Sequence, residues 1–326
     1  MTINNLPPLV TVFGGSGFVG RHVVRTLAKR GYRVRVAVRR PDLAGFLLPA
    51  GYVGQISLVQ ANLRYRQSVF RAVEGASHVV NCVGIMFETS RNTFDAVQDF
   101  GARSVAEAAR AAGAKLTHIS AIGADPNSQS SYARTKGRAE AMILSLMPDA
   151  VILRPSIMFG PEDSFFNKFA AMARIFPALP LVGGGNTKFQ PVYVEDVAET
   201  IARSVDGTIA PGKIYELGGP EVMTFRQCLE TMLRITNRQN RLVSLPSGIA
   251  SLIGNIASLI PFVQPPITPD QVKLLKVDNV VSDAAVKEGR TLEAIGIRPT
   301  LATSVLPSYL VQYRPQGQYT RSGRAA

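Results

Sequence analysis

Cysteine is scarce: Cys82 and Cys228 stand far apart in a chain of 326 residues. Neither has a CxxC partner or a histidine at ligand spacing, which excludes a disulfide framework and leaves a metal centre unsupported. Thiols used this way fit a reducing compartment. Acid is short as well, with 23 Asp and Glu against 36 Lys and Arg and a formal net charge of +13. Such a balance suits an acidic partner or an anionic lipid surface. Nucleic acid is the other usual partner of a basic chain. No basic helix with base-reading spacing, no RNP-type aromatics and no zinc finger are present, so none is expected. No uncharged apolar run reaches the about 20 residues that a spanning helix needs. The opening MTINNLPPLV lacks the basic and apolar regions of a signal peptide and the arginines of a transit peptide. The expectation is a chain in the cytosol of a prokaryote, or a mature form. There is no repeat of about 20–50 residues and no low-complexity linker.

At 46% hydrophobic and 18% charged the chain is globular, and its length suits one large α/β domain with a smaller lobe. Short apolar runs at Leu9–Phe13, Arg33–Val38, Ile56–Gln60, His78–Val83, Leu116–Ser120 and Val151–Leu153 read as strands. Between them, Val19, Val23 and Leu27 recur on one helical face, and Ala102, Ala106, Ala109 and Ala112 mark another helix. Alternation of this kind predicts a Rossmann-type, doubly wound parallel sheet with its ligand at the carboxyl ends of the strands.

The first strand runs into GGSGFVG, residues Gly14, Gly15, Ser16, Gly17, Phe18, Val19 and Gly20. Strand, glycine turn and helix together make a dinucleotide cradle. Gly14 allows the tight turn, Gly17 lets backbone approach a pyrophosphate, and Gly20 lets the helix lie close on the sheet. After the second strand, where a carboxylate would take the ribose 2′-OH of NAD, the chain has Arg39 and Arg40 and no acid before Asp42. Two guanidiniums suit a 2′-phosphate, and the expected cofactor is NADPH.

GGSGFVG, SYARTK, RPSIMFGPED and PVYVEDVA, in that order, resemble the extended and atypical short-chain dehydrogenase/reductases. The longer strings HISAIGADPNSQSSYARTKGRAE and RPSIMFGPEDSFFNKFA are similar to the NAD(P)-binding accessory subunit of respiratory complex I and its bacterial relatives. The resemblance implies a Tyr-x-x-x-Lys pair, here Tyr132 and Lys136, on one helix face. An ammonium near the phenol would lower its pKa toward working pH, and Lys136 would also hold the nicotinamide ribose. The pair is then either an acid/base couple or a cofactor clamp. The cofactor contacts implied by the resemblance extend to Asn62, Leu63, Val83, Gly84, Ser120 and Pro155. Departures favour the clamp. The serine or threonine that would hold a substrate oxygen is Ile122, the asparagine on the preceding helix is Gln98, and the adenine-contacting Asp-Leu is Asn62-Leu63.

Residues 1–160, with returning segments about 190–218, are expected to form the NAD(P)-binding domain. Residues 161–189 and 219–313 would form a docking or substrate lobe, and 314–326 a basic tail. Glu195 and Asp196 open a helix and read as capping acids. Leu245–Phe262 carries no charge, and Pro246 and Pro261 limit any helix to about 20 Å, too short to span a bilayer. It is either a core helix of the lobe or a surface helix meeting membrane or partner. Beyond Glu293 only basic charges remain, among them Arg298, Arg314, Arg321 and Arg324. They suit anionic lipid, an acidic subunit, or plain solvation.

Two functions follow. In the first, the chain is an NADPH-holding accessory subunit of complex I, with other complex I subunits as partners. It would lie on the cytoplasmic face of the inner membrane and serve structure or assembly without turning its cofactor over. In the second, it is an NADPH-dependent reductase, epimerase or dehydratase acting on a quinone precursor, an isoprenoid or a nucleotide sugar.

Overall fold

The structure, a computed structural model, describes residues 6–245 and 268–316. All of Leu245–Phe262 except Leu245 lies outside the described residues, as do Arg321 and Arg324. The chain divides into two compact units. The first comprises residues 1–155, 194–217 and 281–298, and the second residues 156–193, 218–280 and 299–326.

The first unit is a seven-stranded parallel sheet. Its strands are β1 (Leu9–Phe13), β2 (Arg33–Val38), β3 (Ile56–Gln60), β4 (His78–Asn81), β5 (Lys115–Ile119), β6 (Val151–Pro155) and a last strand, Ile214–Leu217. The order across the sheet is Ile214–Leu217, β6, β5, β4, β1, β2, β3. Every residue of β1 is buried, as a strand covered on both faces requires. Helices α1 (Phe18–Lys29), α2 (Arg66–Val73), α3 (Phe100–Ala111) and α4 (Ser131–Leu146) make the crossovers. The chain leaves β1 for β2 on one side and returns to β4 on the other. The carboxyl end of β1 is thus a topological switch point, where ligands of such sheets bind.

The fifth strand is shifted by one residue from the expected Leu116–Ser120, the sixth runs on to Pro155, and two further boundaries differ from the sequence reading. The expected fourth strand stops at Asn81, because Val83 N–H turns to the Asn81 side chain at 3.1 Å instead of continuing the ladder. Residues 281–298, expected in the smaller lobe, belong with the sheet. Glu216 N–H donates to the Arg290 carbonyl at 3.0 Å, Ser282 N–H to Glu216 Oε2 at 2.8 Å, and Arg203 Nη1 to the Ile295 carbonyl at 2.5 Å.

The second unit packs Phe159, Phe166, Phe169, Phe189 and Phe225 with Leu179, Leu181, Leu306 and Leu310. Asp163 of the FGPED stretch is buried at its centre. It accepts from the Tyr309 hydroxyl at 2.5 Å and from the backbone N–H of Phe165 and Asn167 at 2.9 and 3.2 Å. That string is therefore a structural knot tying the Phe166–Ile175 helix to the Ala302–Leu310 helix. No helix among the described residues is long and apolar enough to cross a membrane. No cluster of three metal-ligating side chains occurs among them either.

Candidate functional site

At the switch point Gly14 turns the chain with φ +73°, and Gly17 N–H donates to the Gly14 carbonyl at 2.9 Å. A Cβ on Gly20 would lie 2.2 Å from the Gly14 carbonyl oxygen, so only glycine lets α1 rest on the turn. A Cβ on Gly15 would meet Val36 at 2.9 Å. One on Gly17 would meet only the Gly14 carbonyl, at 3.2 Å, because Gly17 faces outward. Gly17 is the N-cap of α1, no side chain caps it, and the first turn holds no acid. Ser16, Phe18 and Val19 complete a helix start whose free N–H groups and positive dipole end suit phosphate. Sequence reasoning passed over Arg21. Its guanidinium donates to the Gly17 and Ser16 carbonyls at 3.3 and 3.2 Å and brackets the turn.

The two arginines after β2 are not equivalent. Arg40 forks onto Asp42, Nε to Oδ1 at 3.0 Å and Nη2 to Oδ2 at 2.7 Å, and this pairing holds the Asp42 carboxyl below its ordinary range. The Arg39 side chain is exposed and has no partner among the described residues. Beyond β3, Asn62 accepts on Oδ1 from the Arg64 N–H at 3.1 Å. Leu63 is buried under α3, where a Cβ on Gly101 would meet it at 2.9 Å.

Beyond β4, a Cβ on Gly14 would come within 3.0 Å of Val83, and one on Gly84 within 3.7 Å of Lys136 Nζ. The turn and α4 thus converge on Val83–Gly84. Asn81 anchors this segment, accepting from Val83 N–H while its amide nitrogen faces His118 Nδ1 at 3.2 Å. Burial, and Lys136 nearby, keep His118 well below its usual pKa and neutral.

Ser130 caps α4, accepting from Ala133 N–H at 3.3 Å. Lys136 is buried and donates from Nζ to the Ile119 carbonyl at 2.8 Å. Burial brings its pKa down to about 8, against the opposing pull of Glu140 and Cys82. Tyr132 is half-buried, its ring edge-to-face with Phe94 at 5.9 Å. Burial pushes the Tyr132 phenol up to about 12, opposite in direction to the lowering expected beside Lys136. Ile122 is buried at the acceptor position, its N–H on the Pro155 carbonyl at 3.1 Å. Pro155 itself is buried, and that bond already engages its carbonyl. Ser120 is buried, and its Oγ has no partner among the described residues.

Two more positioning residues emerge. Gln98 sits in a π-helical turn, Asp95–Asp99. It donates to the Ile85 carbonyl at 2.7 Å and accepts from Thr135 Oγ1 at 3.2 Å, tying the loop after β4 to α4. A Cβ on Gly137 would stand 2.4 Å from Pro126 N, so glycine lets α4 press on the loop after β5. Glu195 and Asp196 lie in the first turn of the helix Val194–Asp206.

A glycine cradle, an unpartnered Arg39, an orphan Ser120 Oγ and an ammonium making one hydrogen bond fit an adenine dinucleotide. They define a dinucleotide-binding α/β protein. The chain belongs to the NAD dependent epimerase/dehydratase family, whose model matches residues 10–218, and membership implies a nicotinamide nucleotide cofactor. It is 34% identical over 320 residues to NADH dehydrogenase (ubiquinone) 1 alpha subcomplex subunit 9, mitochondrial, of Arabidopsis thaliana, covering 95% of this chain and 79% of that one. It is 33% identical over 190 residues to a ceramide reductase of Caulobacter vibrioides, covering 58% of each. Its fold matches UDP-glucose 4-epimerase of Thermotoga maritima with a TM-score of 0.68 at 18% identity, over 94% of this chain and 98% of that one.

Proposed function

We propose that the chain is an accessory subunit of an NADH:quinone oxidoreductase, respiratory complex I, that holds NADPH tightly and does not turn it over. The observation that carries this reading is the asymmetry of the site. The glycine turn, the exposed Arg39 and the buried Ser120 hydroxyl support dinucleotide binding. At the reacting end, Ile122 offers no hydroxyl to a substrate oxygen, and the Tyr132 phenol is pushed up to about 12. Similarity to the Arabidopsis subunit over nearly the whole chain supports the choice of complex.

Gly14 to Gly20 would take the pyrophosphate, Arg39 the 2′-phosphate, Asn62 the adenine side, and Ser120, Tyr132 and Lys136 the nicotinamide riboside. When bound, the dinucleotide supplies hydride chemistry at its nicotinamide ring. Here the chain's own residues orient and retain it. The protein would sit on the cytoplasmic face of the inner membrane among the other subunits.

Purification in mild detergent, with mass spectrometry of co-purifying subunits and of extracted nucleotide, tests the reading. The expected result is complex I subunits and NADPH in near-equal amount to the chain. A lone chain, or one without nucleotide, overturns it.

A second reading, an NADPH-dependent reductase of an apolar substrate, draws on the buried Ser120 hydroxyl without a partner and on the similarity to ceramide reductase. Oxidation of the bound NADPH by a long-chain ketone would favour it.

A further inference from the structure

Between β2 and β3 the chain makes a detour through two 3-10 turns, Pro41–Leu43 and Gly45–Ala50. From Leu43 to Gln55 it holds no charged residue. Ala44 and Leu47 are fully buried and pin the segment down. Leu43, Phe46, Leu48, Tyr52 and Val53 nevertheless face solvent, Tyr52 at 86% exposure. Five large apolar side chains in eleven residues of well-anchored backbone are not incidental exposure on a globular surface.

The segment runs along α1. Phe46 lies under the Arg21 guanidinium, 5.1 Å from ring centroid to its carbon, and Gln55 Nε2 donates to the Ala28 and Tyr32 carbonyls at 2.7 and 3.0 Å. Arg25 and Lys29, both exposed, follow Arg21 at four-residue spacing and so share the helix face on which Arg21 meets Phe46. The one acid of the segment's approach, Asp42, is neutralised by Arg40.

We propose that Leu43, Phe46, Leu48, Tyr52 and Val53 form a docking surface for a protein partner whose contact has an apolar centre and an acidic rim. The inference rests on the accessory-subunit reading and names where the chain meets a neighbouring subunit. Charge complementarity selects the partner. Arg21 and Arg39 are committed to the nucleotide corner, so Arg25 and Lys29 are the cations left for the rim. Two cations are too few to hold an anionic leaflet, whereas two facing carboxylates on a protein would match them. Because Arg21 joins Phe46 to the Ser16–Gly17 turn, the docked partner and the bound nucleotide would support the same side chain.

The test uses the tagged full chain in its host membrane. One strain carries Tyr52→Ser with Val53→Ser, another Arg25→Glu with Lys29→Glu, and a third a benzophenone side chain in place of Tyr52. The first two should keep wild-type melting and nucleotide content. Each should lose about tenfold or more of its retention in the complex at raised salt. The third should crosslink to one peptide of another subunit that contains acidic residues. Retention unchanged in the apolar pair overturns the docking surface, and retention unchanged in the charge pair overturns the acidic rim. A crosslink to lipid or to a second copy of the chain overturns the assigned partner. If the wild-type chain itself is absent from the complex, the accessory-subunit reading fails and this inference with it. If the wild type is retained and the variants are too, this inference fails alone.

Discussion

Lys136 Nζ donates to the carbonyl oxygen of Ile119 at 2.8 Å, which turns the ammonium toward the end of β5 while Tyr132, one helical turn earlier, packs on Phe94. The ammonium is thus tied to the strand end, an arrangement that supports the proposed cofactor clamp.

The same burial makes Lys136 a stability switch. Its folded pKa, about 8, lies below its ordinary 10.5, so the folded state sheds the proton first. Between those values the unfolded chain binds more protons, and stability contributed by this group rises with pH, by roughly 3 kcal/mol in full. Cys82 and Cys228 act oppositely above pH 9, since burial raises both to about 12. The expected outcome for nucleotide-free protein is a melting temperature that climbs from pH 8 to 9 relative to Lys136→Met. Parallel curves for the two proteins would remove Lys136 as the cause.

The sheet and the glycine turn were legible because their causes are local. Gly20 must be glycine for the reason its spacing suggests, a helix so close that a Cβ would lie 2.2 Å from the Gly14 carbonyl oxygen. Leu9–Phe13 reads as a strand because a fully buried strand is apolar throughout. Other features depend on geometry that the sequence does not carry. Arg40 is consumed by Asp42 only because Pro41–Leu43 makes a 3-10 turn that folds residue 42 back. The Tyr132 pKa follows from tertiary burial, and the spacing to Lys136 is silent about it. Gly137 did leave a signal, a glycine inside a helix, which usually marks a close approach.

Gly137→Ala should therefore cost stability although alanine is the better helix former. A Cβ 2.4 Å from Pro126 N must push α4 away from the loop after β5. Overpacking of this kind costs about 1–3 kcal/mol, and nucleotide affinity should fall as Lys136 shifts with the helix. Thermal melts with and without NADPH measure both effects. A variant that melts at the wild-type temperature would mean that the loop yields freely.

Arg39→Ala and Arg40→Ala should differ. Loss of a charge-assisted phosphate contact costs about 1.5–3 kcal/mol, so Arg39→Ala should weaken NADPH about tenfold or more and leave NADH nearly unchanged. Arg40 is already paired, and its removal should cost NADPH less. Calorimetric titration of both nucleotides decides the matter. Equal losses of NADPH and NADH in Arg39→Ala would defeat the 2′-phosphate assignment.

Gly17→Val should separate nucleotide from fold. The position faces outward and a Cβ would press only on the Gly14 carbonyl, at 3.2 Å, so the sheet should form, with the valine branches where a pyrophosphate would lie. A ligand at a hundredfold excess over its Kd stabilises by about 2.7 kcal/mol, and the variant should lose that increment. It should melt at one temperature with or without NADPH and should associate poorly with its partners. Normal accumulation of a working complex containing nucleotide-free chain would refute the structural role of the cofactor.

Tyr132→Phe distinguishes clamp from enzyme. If the phenol moved a proton in turnover, its loss would cost about 10²–10⁴-fold, the usual worth of a general acid or base. If it only steadies a cofactor, the change deletes at most one hydrogen bond, about 1 kcal/mol, and keeps the ring on Phe94. A phenol at about 12 is poorly matched to proton transfer near neutral pH, and Ile122 supplies no hydroxyl at the acceptor position. The expected result is nucleotide content and NADH:quinone activity of the assembled complex near wild type. No added hydride acceptor should oxidise the bound NADPH quickly in the isolated chain. Rapid oxidation in the wild type that disappears in Tyr132→Phe would make the protein an enzyme in its own right.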